Sequence, residues 1–212
     1  MDLLSSFVDV ILHLDLHLRE LAQTYGGWVY AFLFLIVFLE TGVVVTPFLP
    51  GDSLLFVAGT IAAAGELNVH VLVLFLIAAA IAGDSLNYAI GRYLGPRVFR
   101  FEDSRFFKRA YVDRTHAFFE RHGGKAIIIA RFVPIIRTYA PFVAGIGAMD
   151  YRRFLIFNVT GAVLWVVLLT YAGFFFGNLP LVRNNLTAVI LGIIVLSVMP
   201  AIIEFWRARR PS

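Results

Sequence analysis

Four ionisable residues stand where the surrounding sequence is otherwise apolar: Glu40, Asp52, Arg131 and Arg137. At the centre of a bilayer a charged side chain costs roughly 2.5–3.5 kcal/mol on insertion scales, so four isolated ones cost on the order of 10 kcal/mol. They must pair, reach a wet cavity or, for the carboxyl groups, stay neutral. The two arginines suit a phosphate or another oxyanion, because guanidinium is a planar, permanently charged fork that binds such groups bidentately. Glu40 and Asp52 suit proton binding. Burial and a neighbouring arginine pull a carboxyl group's protonation in opposite directions, so filling an anion site is a lever on it. Asp84 is a further candidate for such a relay; Asn87 and Tyr88 share its helix face at spacings of three and four. The competing reading is structural: buried arginine–carboxylate pairs that lock helices together with no ligand.

The elements that must position these groups are those of an integral membrane protein. The chain of 212 residues is 60% hydrophobic and 15% charged, against about 45–50% and about 25% in soluble domains. The excess lies in long runs such as Val69–Ile81 and Phe154–Gly177. Cysteine is absent, which excludes disulfides, thiol catalysis and zinc–thiolate or iron–sulfur sites. The N-terminus does not read as a signal peptide, since Asp2, Asp9, Asp15 and Glu20 oppose only Arg19. Despite a net charge of +4, no basic groove interleaved with aromatics points to nucleic acid.

Along the chain, residues 1–24 read as an amphipathic helix, with Leu3, Leu4, Phe7, Ile11, Leu14, Leu18 and Leu21 at helical spacing. Residues 25–95 form a first half. In it, Trp28–Ala64 is broken by Pro47, Pro50 and Gly51, which fits a re-entrant hairpin best, with a complete first span as the alternative. A full span follows at 69–94. Residues 96–125 hold eight Lys/Arg against four Asp/Glu, which places that loop in the cytoplasm. A second half, 126–178, repeats the order: a segment at 126–148 broken at Pro134 and Pro141, then a span at 154–177. The two breaks would create helix N-termini whose N–H groups add anion donors. A last span covers about 186–206, and a basic tail, 207–212, carries Arg207, Arg209 and Arg210. The cations favour two re-entrant segments entering from opposite faces, with the C-terminus cytoplasmic.

The halves share more than their order. Phe56-Val57-Ala58-Gly59 recurs letter for letter as Phe142-Val143-Ala144-Gly145, and each copy precedes a span carrying Gly-xxx-Gly: Gly91 and Gly95, then Gly173 and Gly177. One crossing separates the copies, so the repeat would be inverted, a plan in which broken helices meet near the midplane and form a binding site. The expected fold is thus all-α: two opposed re-entrant hairpins in an inverted repeat, each followed by a transmembrane helix, with an N-terminal amphipathic helix and a C-terminal span.

Other features weigh less. His13 and His17 lie four apart beside Asp9, but a solvated helix face explains them better than a metal, so no metal or cofactor is expected. Trp28, Tyr93, Trp165, Tyr171 and Trp206 read as interfacial or packing aromatics. Nucleophile elbow, phosphate loop and HExxH are all absent, so an enzyme is not expected.

Three stretches carry a family resemblance: Glu40-Thr-Gly with Phe48-Leu-Pro-Gly-Asp52-Ser-Leu-Leu, Gly83-Asp-Ser-Leu-Asn-Tyr with Gly91-Arg, and Arg131-Phe-Val-Pro-Ile-Ile-Arg137-Thr. Together they make essentially the whole chain resemble the bacterial DedA family, whose shared core is also called the VTT or SNARE-associated domain. The resemblance implies opposed re-entrant hairpins in the bacterial inner membrane, dependence on the proton-motive force and a part in cell-envelope integrity. It also implies a lipid-phosphate substrate, undecaprenyl phosphate or a phospholipid, and matches Glu40, Asp52, Arg131 and Arg137 to the family's essential residues. The function expected is a proton-linked lipid-phosphate flippase, compatible with a homo-oligomer. Its rivals are a proton-coupled carrier of a small ion or drug, a non-transporting scaffold and, furthest off, a membrane phosphatase.

Overall fold

The computed structural model describes residues 26–43, 51–98, 124–132, 134–177 and 179–183, with positions 24, 185, 188, 189, 191 and 192 beside them. The amphipathic helix expected over 1–24 lies, but for residue 24, outside the described residues. So do Pro47 and Pro50, nearly all of the basic loop, most of the last span and the tail. All regular structure among the described residues is helical: α1 (Trp28–Gly42), α2 (Gly51–Ala63), α3 (Val69–Val98), α4 (Lys125–Ala130), α5 (Pro134–Ile146), α6 (Tyr151–Phe176) and the single turn α7 (Pro180–Arg183).

Length sorts these helices. At 1.5 Å per residue, α3 and α6 run about 45 and about 39 Å, enough to cross a hydrocarbon core of about 30 Å, whereas α1, α2 and α5 run only about 20–22 Å. By length and composition, Val69–Gly95 and Tyr151–Phe176 are candidate spans. Both long helices start on a side-chain cap. Asn68 Oδ1 accepts the N–H groups of His70 and Val71 at 3.0 and 3.2 Å, and Asp150 Oδ1 accepts that of Arg153 at 3.1 Å. Upstream, Ala148 adopts φ 51°, and the Met149 N–H returns to the Ala144 carbonyl at 3.1 Å, closing the end of α5. Large apolar side chains stand exposed along these helices, among them Leu74, Ile156, Leu168 and Phe175. So much bare apolar surface suits lipid and not water.

The proline expectations divide. Pro134 is the first residue of α5, where its missing N–H costs nothing. Pro141, expected to open a helix, instead lies inside α5. It has no N–H to give the Arg137 carbonyl, yet α5 continues, because tertiary packing outweighs one lost backbone bond. The real break is earlier: α4 ends in tightened turns in which the Arg131 and Phe132 N–H groups donate three residues back.

The described residues fall into two compact units. The first holds residues 26–36, α2, 69–76 and the chain from Leu164 onward; the second holds 37–43, 77–98 and the chain from 124 to 163. The repeated tetrapeptide packs in the same way in each. In the first unit, a Cβ on Gly173 would strike the Phe56 carbonyl, and one on Gly59 the Thr170 carbonyl. In the second, a Cβ on Gly91 would strike the Phe142 carbonyl, and one on Gly145 the Tyr88 carbonyl. One turn further on, Gly177 faces Thr60 and Gly95 faces Ile146. The match is position for position. Through these glycines each copy therefore packs on the long helix of the other half.

Candidate functional site

The second unit gathers the chemistry along one face of α3. Asp84 is 5% exposed and pairs with Arg131 Nη2; Arg131 is itself 4% exposed. Arg131 stands where α4 has just ended, and its guanidinium also donates to the carbonyls of Asn158 at 3.3 Å and Ala80 at 3.4 Å. A second pair lies in the same unit: Arg137 Nη2, on the first turn of α5, donates to Glu40 Oε1 on the last turn of α1. Glu40 is 1% exposed. Both contacts are charge-assisted hydrogen bonds within an apolar surround, where such a bond is strongest and where losing one partner is most costly.

Asn87 ties the two pairs to one helix. Its Nδ2 donates to the carbonyls of Thr41 (3.1 Å) and Thr138 (2.8 Å), the residues that directly follow Glu40 and Arg137. Gly83 lets this happen, since a Cβ there would collide with Thr41 Oγ1. One residue beyond Asn87, the Tyr88 hydroxyl donates to the Met149 carbonyl and accepts from Arg92 Nη1 at 2.9 Å, while its ring stacks on Phe154 at 4.5 Å. The face expected from the spacing of Asp84, Asn87 and Tyr88 is thus a row of interhelical contacts. Asn87→Leu leaves two buried carbonyls without these donors and is expected to cost about 1–3 kcal/mol. A thermal melt of the detergent-solubilised protein checks this.

Asp52 belongs to the first unit and meets a different partner. It lies on the first turn of α2 and accepts a hydrogen bond from Trp165 Nε1 at 2.8 Å; Trp165 is buried in α6. A buried indole needs such an acceptor for its N–H. The structure thus brings together Glu40 with Arg137 and Asp84 with Arg131, and gives Asp52 an indole. Sequence reasoning missed the roles of Asn158 and Trp165. Asn158 carried a readable signal, as an amide within the apolar run that begins at Phe154. Trp165 carried none, because a tryptophan there reads equally as packing. Among the described residues, no cluster of three His, Asp or Glu could hold a metal.

Known proteins give this geometry a family. The VTT domain matches residues 49–175. Protein DedA of Escherichia coli (strain K12) is 58% identical over 214 residues, covering 100% of this chain and 98% of that protein. An uncharacterized membrane protein of Mycobacterium tuberculosis (strain ATCC 25618 / H37Rv) is 44% identical over 191 residues, 88% of this chain and 84% of that protein. The inner membrane protein YqjA of Escherichia coli (strain K12) is 37% identical over 154 residues, 73% of this chain and 70% of that protein. No solved structure matches the chain. A domain matched over more than half of the length and a relative aligned end to end place this chain in the VTT-domain, or DedA, family of membrane proteins.

Proposed function

We propose that the protein moves the phosphate head group of a membrane lipid across the bacterial inner membrane in a proton-linked cycle. The observation that carries this reading is the pair of buried contacts Arg131–Asp84 and Arg137–Glu40 within one helical unit of a membrane protein. An arginine held by a carboxylate is a phosphate site already paired with a competitor. A phosphate that takes the guanidinium fork displaces the carboxylate. The released carboxyl group then takes up a proton, because an isolated charge in that surround costs roughly 2.5–3.5 kcal/mol. Phosphate entry and proton uptake are thereby linked through the same two arginines, and Asp52 on its indole is a third proton station. The acyl or isoprenoid tail stays in the bilayer, so only the head group needs a polar path. The shared packing of the two tetrapeptides supports an internal repeat, which we read as inverted with two re-entrant segments, and the Lys/Arg placement supports a cytoplasmic C-terminus.

Competition tests this. Labelled undecaprenyl phosphate and a labelled phospholipid are bound to the purified protein and challenged with inorganic phosphate. Phosphate that competes at least 100-fold more weakly than the lipid is the expected result; equal competition favours a carrier of small ions.

A scaffold without transport also has an observation in its favour, since two fully buried ion pairs are what a structural lock requires. Arg131→Lys separates the two. Lysine keeps the charge and loses the fork, so lipid-phosphate binding should fall at least tenfold and the variant should not complement a deletion. Full complementation by Arg131→Lys would favour the scaffold.

A further inference from the structure

Two buried amide oxygens in the second unit lack donors. Asn87 and Asn158 are both fully buried, and neither Oδ1 meets a donor among the described residues. Their orientations are fixed. Asn87 Nδ2 donates to two backbone carbonyls and Asn158 Nδ2 to the Ile81 carbonyl at 3.2 Å, so flipping either amide would set oxygen against oxygen. Along α3, Ile81 and Asn87 lie about one turn on either side of Asp84, so the two amides bracket the Asp84–Arg131 pair. A buried acceptor without a protein donor is ordinarily met by ordered water.

We propose that Asn87 and Asn158 hold internal water on both flanks of the Asp84–Arg131 pair, and that this water is the route by which protons reach Asp84. The ligand class is a neutral hydrogen donor. A metal cation fits poorly, because Arg131 and Arg137 already balance Asp84 and Glu40, and a further positive charge would have no counter-ion there. The charged groups facing the route are Arg131 from the end of α4, Glu40 from α1 and Arg137 from α5, while α3 itself adds Tyr88 and Arg92. The ring stack of Tyr88 on Phe154 closes one flank with apolar surface. The proton route rests on the transport reading above; the water itself does not.

Radiolytic labelling tests the water directly. Brief X-ray exposure turns bound water into hydroxyl radicals that oxidise adjacent side chains, which mass spectrometry then locates in the intact wild-type protein. Tyr88 and the half-buried Ile81 should label, while Leu55 and Leu72, fully buried in apolar surroundings, should not. In Asn158→Leu the Ile81 signal should fall several-fold. Absence of labelling at both Ile81 and Tyr88 in the wild type overturns the proposal, whatever the protein transports. The second arm is functional. In liposomes Asn158→Leu should lose at least tenfold of the stimulation by a pH gradient, with lipid-phosphate affinity changed less than twofold. Labelled water with undiminished stimulation overturns the proton route and leaves the water site. Labelling in a wild type that moves no lipid strikes the transport reading alone.

Discussion

Replacing Arg137 with alanine is expected to destabilise the protein by about 3–5 kcal/mol and to abolish its activity. The size follows from what stays behind. Glu40 is 1% exposed, and Arg137 is its charge partner. Breaking a buried pair by removing one partner strands an uncompensated charge, which costs more than the pair itself contributes. The same logic makes the double variant Glu40→Gln/Arg137→Gln informative. With both charges gone, most of the lost stability should return, because a pair of neutral amides demands no counter-charge. Activity should not return, since neither a phosphate fork nor a proton site remains. Thermal unfolding in detergent, read beside complementation of a deletion strain, separates the two effects.

A comparable loss is expected where backbones touch. Gly91→Ala and Gly173→Ala each place a methyl group against a carbonyl of the repeated tetrapeptide, Phe142 in one unit and Phe56 in the other. Backbone cannot rotate aside as a side chain can, so the helices must move apart along the whole contact. Overpacking of this kind costs typically about 1–3 kcal/mol and sometimes more, and the top of that range is expected here. The two variants should be affected alike, because the two contacts are alike. Gly27→Ala is the control: nothing lies within 4 Å of a Cβ there, and its melting temperature should hardly change.

The charged residues were legible in the sequence because of their cost. A carboxylate or guanidinium inside an apolar run announces itself without any structure, and Glu40, Asp84, Arg131 and Arg137 are all buried. Their partners were not legible. Glu40 and Asp52 stand out beside the two arginines because both lie near a break, while Asp84 sits in an uninterrupted helix. Which acid meets which arginine depends on where α4 and α5 lie against α3, and no local pattern records that. The repeat shows the same division. Four identical letters and two Gly-xxx-Gly patterns revealed the close contacts, but not that each copy packs on the other half's long helix. Pro141 misled for a related reason: a local rule expects a break, and a packed helix runs through it. The lengths of α3 and α6, by contrast, follow directly from uninterrupted apolar runs.

If the two buried arginines serve a lipid phosphate in a proton-linked cycle, the lipid itself must cross the bilayer. The purified protein is reconstituted in liposomes, and the movement of labelled undecaprenyl phosphate and of labelled glycerophospholipids is followed with and without a pH gradient, beside Arg137→Ala and Asp52→Asn. Movement of at least one of these lipids, stimulated by the gradient and lost in both variants, is expected. Folded wild-type protein that moves none of them under either condition would contradict it.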